Sequence, residues 1–145
     1  MVSRIICVGN RYDSRDDAGP RVHDLLRAAP MPAGLELVDG GLRGLDLLPL
    51  VEGTERVVFV DAATDGLDDA PFAVFSGDEV ATVAERSYGH AAGLPYLLRV
   101  LPHVCEGRAP EVFVVGVSPV APPEALAGAG RMAIALGSGA RRPPC

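Results

Sequence analysis

Arg56-Val57-Val58-Phe59-Val60-Asp61 is the stretch on which the fold turns. Four consecutive apolar residues, three of them β-branched, fit a strand buried on both faces, the kind found in parallel sheets. Its charge stands at the carboxyl end. Two similar runs flank it: Arg4–Val8, which ends at Gly9, and Glu111–Val117. Leu35–Val38, closed by Asp39-Gly40-Gly41, reads as a further strand. Pro71–Phe75 reads as an edge strand, because Pro71 has no N–H to give a ladder. Between these runs the spacing turns helical. Arg21–Ala29 puts Val22, Leu25 and Leu26 on one face, with Pro20 suited to the first turn. Leu45–Val51, His90–Leu101 (interrupted by Pro95) and Pro122–Leu136 give the other helices. Strands alternating with helices predict an α/β fold, a three-layer sandwich. Its centre is a twisted, mostly parallel sheet of about five strands, with helices on both faces. A single domain over residues 1–140 is expected, with 141–145 a frayed tail.

The chain has 145 residues and a net charge of −6. All 13 basic residues are arginines, scattered rather than clustered, and aromatics make up 5%. Phosphate binding needs a concentrated positive field, so no nucleic-acid partner is expected. No apolar run is long enough to span a bilayer, and the opening residues lack the core of a signal peptide, so the expectation is a cytoplasmic protein with no membrane partner. Cys7, Cys105 and Cys145 are odd in number and far apart, without disulfide or metal-ligand spacing. Cys7, inside an apolar run, reads as a core residue.

In an open parallel sheet, ligands bind beyond the carboxyl ends of the strands, where the strand order reverses. With an order of 2-1-3-4-5, strands one and three flank that point. The loop Gly9–Gly19 and the strand-ending Asp61 then meet there, and His90 would reach over from the start of its helix. Asp16 and Asp17 also suit capping of the following helix, because a carboxylate accepts its orphan N–H groups. Asp61 gains nothing in packing by ending an apolar strand. Two carboxylates and one imidazole suit a divalent transition metal with open positions, although spacing alone leaves the site open. Gly9-Asn10 lacks the further glycines of a dinucleotide fingerprint. The absence of a Gly-x-Ser-x-Gly elbow, and of a Cys beside a His with an orienting acid, argues against a protein-borne nucleophile.

Val8-Gly9-Asn10 followed by Asp16-Asp17-Ala18-Gly19-Pro20 resembles the opening of the hydrogenase maturation endopeptidases. Leu37-Val38-Asp39-Gly40-Gly41 is similar to that family's Asp-Gly-Gly turn, and Val58-Phe59-Val60-Asp61-Ala62 to its strand-ending Asp-Ala. His90 with Leu94 and Leu98 resembles its His helix, and Val114-Val115-Gly116-Val117-Ser118-Pro119 its late strand. The resemblance covers about residues 4–125. It implies an endopeptidase, aspartic-type by family classification, that removes the C-terminal extension of a nickel-loaded hydrogenase large-subunit precursor. By position, Asp16, Asp61 and His90 match the metal-contacting and catalytic residues, with Asp17 a possible substitute ligand. Asp39, Gly40 and Gly41 are the substrate-binding candidates. The resemblance also implies that nickel arrives with the precursor rather than being permanently bound. A monomer is expected. Departures from the family's pattern are Arg15 before Asp16, Asp17 after it, Leu42 after the glycines, and Tyr88-Gly89 before His90. They keep a second reading open: a nickel-sensing binding module that docks the precursor as a checkpoint without cutting it. A third is a generic small-ligand domain in which Asp16 and Asp61 are dispensable caps.

Overall fold

The computed structural model describes residues 2–42, 45–86, 97–98, 101–103 and 109–140. Its elements are β1 (Ser3–Val8), α1 (Ala18–Leu26), β2 (Leu35–Gly41), a 3-10 turn (Leu45–Leu47) leading into α2 (Leu48–Val51), and β3 (Arg56–Ala62). There follow β4 (Phe72–Ser76), α3 (Gly77–Arg86), β5 (Glu111–Val117) and α4 (Pro123–Gly137). Residues 97–98 and 101–103 are helical. The rest of the expected His90 helix and the expected tail, 141–145, lie outside the described residues.

The five strands form one sheet in the order β2-β1-β3-β5-β4. β1 pairs in parallel with β2 and β3, and β3 with β5, so β1 and β3 flank the reversal of order as expected. Beyond β3 the expected order is corrected. β5 takes the place beside β3, and β4 is an antiparallel edge strand against β5. The link 63–71 is the physical reason for the direction of β4: a parallel crossover needs about a dozen residues or more, and this shorter link leaves the chain at the carboxyl edge, from which it runs back.

Side chains alternate across the strands, and both faces are apolar. On one face Ile5, Cys7, Val58, Val60 and Val115 pack with Val22 of α1 and Leu126, Ala129 and Leu136 of α4. On the other, Ile6, Val8, Val57, Phe59 and Val114 pack with Leu47, Val51, Leu97 and Leu101. Cys7 lies in the core as its apolar surroundings predict, and burial pushes its thiol pKa well up. No helix among the described residues is long and apolar enough to cross a membrane.

Two helices depart from the spacing argument. α1 starts three residues before the expected Arg21 and leaves Leu25 exposed, so Val22 carries its buried face. α3 was not expected at all, yet Ser76-Gly77-Asp78-Glu79 opens it with a reciprocal cap. The Glu79 N–H donates to Ser76 Oγ, and the Ser76 N–H to Glu79 Oε1, each at 3.1 Å.

Candidate functional site at the carboxyl edge of the sheet

Backbone crowding shapes the loop between β1 and α1. Gly9 has φ +141°, and a Cβ there would strike the Asp16 carbonyl oxygen. The Asn10 N–H donates to that oxygen at 2.9 Å and to Asp16 Oδ2 at 3.1 Å. Further bonds from Asp13 N–H to the Asn10 carbonyl and from Asp16 N–H to the Asp13 carbonyl close the loop. Asp16 is thereby held at the mouth of β1. At Gly19 an added Cβ would strike the Val8 carbonyl oxygen and lie 2.7 Å from that of Val60. Only a residue without a side chain lets the first turn of α1 sit on the ends of β1 and β3 together. That seating explains why α1 begins early.

Asp61 extends the row of Val57 and Phe59 to the end of β3 and is half-buried. Its Oδ1 accepts the Ala62 N–H at 2.8 Å, a bond that favours the charged form. Two stronger effects oppose it: burial, and then the negative charge of Asp16, which together push the Asp61 pKa up to about 7. The structure therefore brings Asp16 and Asp61 together at the switch point. Neither carboxylate has an ion pair among the described residues. Nor do the described residues contain a cluster of three possible metal ligands. His90, the third residue expected here, lies outside them.

Asp17 occupies the N-cap position of α1 but makes no side-chain cap bond. Its Oδ1 is buried and lacks a hydrogen-bond partner among the described residues. The capping role open to it in the sequence is not realised. Asp39, Gly40 and Gly41 end β2 on the same edge. Gly40 is pressed against Ile6 and Val8, where a Cβ would come within 2.8 Å of Ile6 Cγ2, while Gly41 at φ +61° has open space beside it.

Sequence reasoning missed Arg11. Its guanidinium bridges Asp24 (3.0 Å) and Asp39 (3.1 Å), tying the loop to α1 and to the end of β2. An arginine among several acids is the available signal, but which acids it reaches depends on the strand order. Asp39 also accepts the Gly41 N–H at 3.2 Å, so its carboxylate is part of this edge's framework.

Comparison with known proteins bears on the same surface. The family model HycI, hydrogenase maturation protease, matches residues 20–130, a span that contains Asp61 and His90 and begins just after Asp16. No curated protein matches the chain. Among solved structures it is similar to the hydrogenase maturating endopeptidase HybD from E. coli, at 25% identity over 96% of this chain and 94% of that one, TM-score 0.76. It is also similar to an endopeptidase from Escherichia coli whose structure was solved in solution (23% identity, 99% and 98% covered, TM-score 0.75). A third is the NiFe hydrogenase maturation protease HycI from Thermococcus kodakarensis KOD1 (18% identity, 94% and 90% covered, TM-score 0.69). The last two likenesses speak to the fold alone. The family model spans most of the chain, and on that ground the chain belongs to the hydrogenase maturation protease family.

Proposed function

We propose that this protein is an endopeptidase that removes the C-terminal extension of a hydrogenase large-subunit precursor once nickel has been installed. Asp16, Asp61 and His90 grip the nickel that the precursor carries, and Asp17, with its buried unpartnered oxygen, is the substitute ligand. The observation that carries this reading is the Asp16–Asp61 pair. The charge of Asp16 raises the proton affinity of Asp61, and neither carboxylate has an ion pair among the described residues. A divalent cation would turn that repulsion into attraction. Oxygen donors from carboxylates, completed by an imidazole, form a donor set that nickel accepts.

Gripping the metal fixes the adjoining segment of the precursor in the cleft, so that its scissile bond is presented repeatedly in one geometry. The nickel supplies Lewis acidity toward the scissile carbonyl or toward a water. A carboxylate of this edge takes the proton from the attacking water. On the opposite side of β1, the open space at Gly41 lets a substrate backbone approach, with Asp39 and Gly40 framing it. The reading belongs to the cytoplasm and to a monomer acting on one folded partner.

The test is the intact mass of a nickel-loaded hydrogenase large subunit incubated with and without the protein. A C-terminal loss that requires both nickel and Asp61 is the expected result. An unchanged mass with a nickel-dependent complex would refute the endopeptidase and leave the checkpoint module in its place.

A further inference from the structure

Three consecutive residues of the loop between β1 and α1 are fastened to different parts of the carboxyl edge. The Gly9 N–H donates to the Gly41 carbonyl at 2.9 Å. The Asn10 N–H donates to Asp16, at both its carbonyl oxygen and its Oδ2. The Arg11 guanidinium donates to Asp39 Oδ2 at 3.1 Å and to Asp24 Oδ2 at 3.0 Å. The other Asp39 oxygen, Oδ1, accepts the Gly41 N–H at 3.2 Å. Gly9, Gly41, Asp39 and Arg11 therefore close a ring of hydrogen bonds. Asn10, which holds Asp16, is the residue joining Gly9 to Arg11, so the ring ties Asp16 to the turn where Gly41 has open space beside it.

Stability does not account for this strap. The Arg11, Asp24 and Asp39 side chains are each about 40–50% exposed, and ion pairs in contact with water contribute little to folding. What the strap supplies is order. The β1–β2 ladder shifts register between Cys7 and Val8 and ends at the Val8–Gly41 pair. The loop beyond it takes its position relative to β2 from the Gly9 bond and the Arg11 arm. An arginine suits that task, because its planar fork holds two carboxylates at once, whereas a lysine is a point charge on a flexible stem. Asp24, on α1, braces the arm from the other side.

We propose that Arg11 is a positioning residue for the cleavage: the ring it closes sets the spacing between Asp16, which grips the precursor's metal, and the Gly41 backbone, along which the precursor's chain lies. The inference rests on the endopeptidase reading above. Arg11 acts through Asp39 and the turn rather than on the substrate itself. A precursor held by its metal at one point and by its backbone at the other has its scissile bond placed by the distance between them. A displacement of about 1 Å in such a geometry lowers the rate about a hundred-fold.

The test measures kcat and KM on one nickel-loaded precursor, and the thermal midpoint, for the wild type, Arg11→Met, Arg11→Lys, Asp24→Asn, Asp39→Asn and the double variant Arg11→Met with Asp39→Asn. Arg11→Met should lower kcat about ten- to a hundred-fold with KM changed by no more than about two-fold. Its thermal midpoint should fall by only a few degrees. Arg11→Lys, which keeps the charge and loses the fork, should recover the midpoint but not kcat. Asp24→Asn leaves the Asp39 arm in place and should keep most of kcat. Arg11→Met and Asp39→Asn break the same ring, so the double variant should be no slower than the slower single one. Losses that multiply in the double variant, a wild-type kcat in Arg11→Met, a loss confined to KM, or full recovery of kcat by Arg11→Lys overturns the positioning role and leaves the endopeptidase standing. If Arg11→Met fails to fold, Arg11→Lys and its combination with Asp39→Asn decide by the same comparison. A wild type that cuts no precursor overturns both.

Discussion

Asp61→Asn should make the protein more stable at neutral and alkaline pH and abolish a pH dependence that the wild type carries. The native Asp61 pKa stands near 7 against 3.8 for an ordinary aspartate, so the folded state binds this proton more tightly than the unfolded chain does. For such a group the contribution is fully present below pH 4 and is lost as pH rises toward 7; above 7 folding carries the whole penalty of a buried, repelled carboxylate. A pKa difference of about 3, at ~1.4 kcal/mol for each, sets an upper limit of about 4 kcal/mol. Asp61 is only half-buried, and water that reaches it brings the expected loss to ~1–2 kcal/mol. An amide of the same shape carries no charge and escapes that loss. With a urea m-value of about 2 kcal/mol/M, the midpoint of Asp61→Asn should exceed that of the wild type by ~0.5–1 M at pH 8, and the gap should close toward pH 5. Asp16→Asn, which removes the second cause, should recover part of the same gap. Unfolding midpoints of the three proteins between pH 5 and 8.5 decide the matter. Parallel curves for wild type and Asp61→Asn, or a wild type that gains on the variant as pH rises, would refute the reasoning.

Three further expectations test the framework around the site. Gly19→Ala places a methyl against the carbonyl oxygens of Val8 and Val60 and should cost about 3 kcal/mol or more, seen as a large drop in the thermal midpoint; a drop of only a degree or two would mean that α1 is not seated as described. Ser76→Ala removes one half of the α3 cap and should cost ~1 kcal/mol in urea unfolding, with Ser76→Asp recovering most of it. Cys7, fully buried with its thiolate disfavoured, should resist a thiol reagent in the native protein and label fully in denaturant. Peptide mapping that finds Cys7 labelled in the folded protein would contradict its place in the core.

How far the sequence led can be judged strand by strand. Glu111–Val117 was legible to the residue and Arg56–Asp61 nearly so, because a strand buried on both faces must be apolar throughout and nothing else of that length is. The order of the last two strands was not legible from apolar patterning. The short link 63–71 makes β4 run antiparallel, but the entry of β5 between β3 and β4 is a tertiary fact. The start of α1 was missed for a related reason: Ala18-Gly19-Pro20 has no helical periodicity, and its seat on two strand ends is a tertiary fact. For α3 the sign is a serine three residues before a glutamate, a local signal weaker than the apolar runs on either side of it. At the site, a carboxylate ending an apolar strand was readable. The loop geometry that holds Asp16 and leaves Asp17 uncapped was not, since both residues are aspartates and only the hydrogen bonds of Asn10 distinguish them.

The distribution of arginines around this edge bears on why the Asp16–Asp61 pair stays uncompensated. The loop between β1 and α1 carries two of them. Arg15 is paired to Asp13 at 3.2 Å, and Arg11 spans Asp24 and Asp39. Those guanidinium groups hold the Asp13 and Asp24 carboxyls below the usual carboxylate range, while Asp61 is driven the opposite way. The acids that fasten the loop thus use up its cations, and among the described residues the acids that face the switch point receive none. A loop selected only for stability would place an arginine against Asp16 or Asp61, relieving a repulsion that costs on the order of 1 kcal/mol. Keeping the pair unrelieved makes sense where a cation arrives from outside: a resident guanidinium would have to be displaced before any metal could enter. Among the described residues the local rule that buried charges are paired is broken at Asp61, which stands at the reversal point of the sheet, and beside it at the buried Asp17 Oδ1.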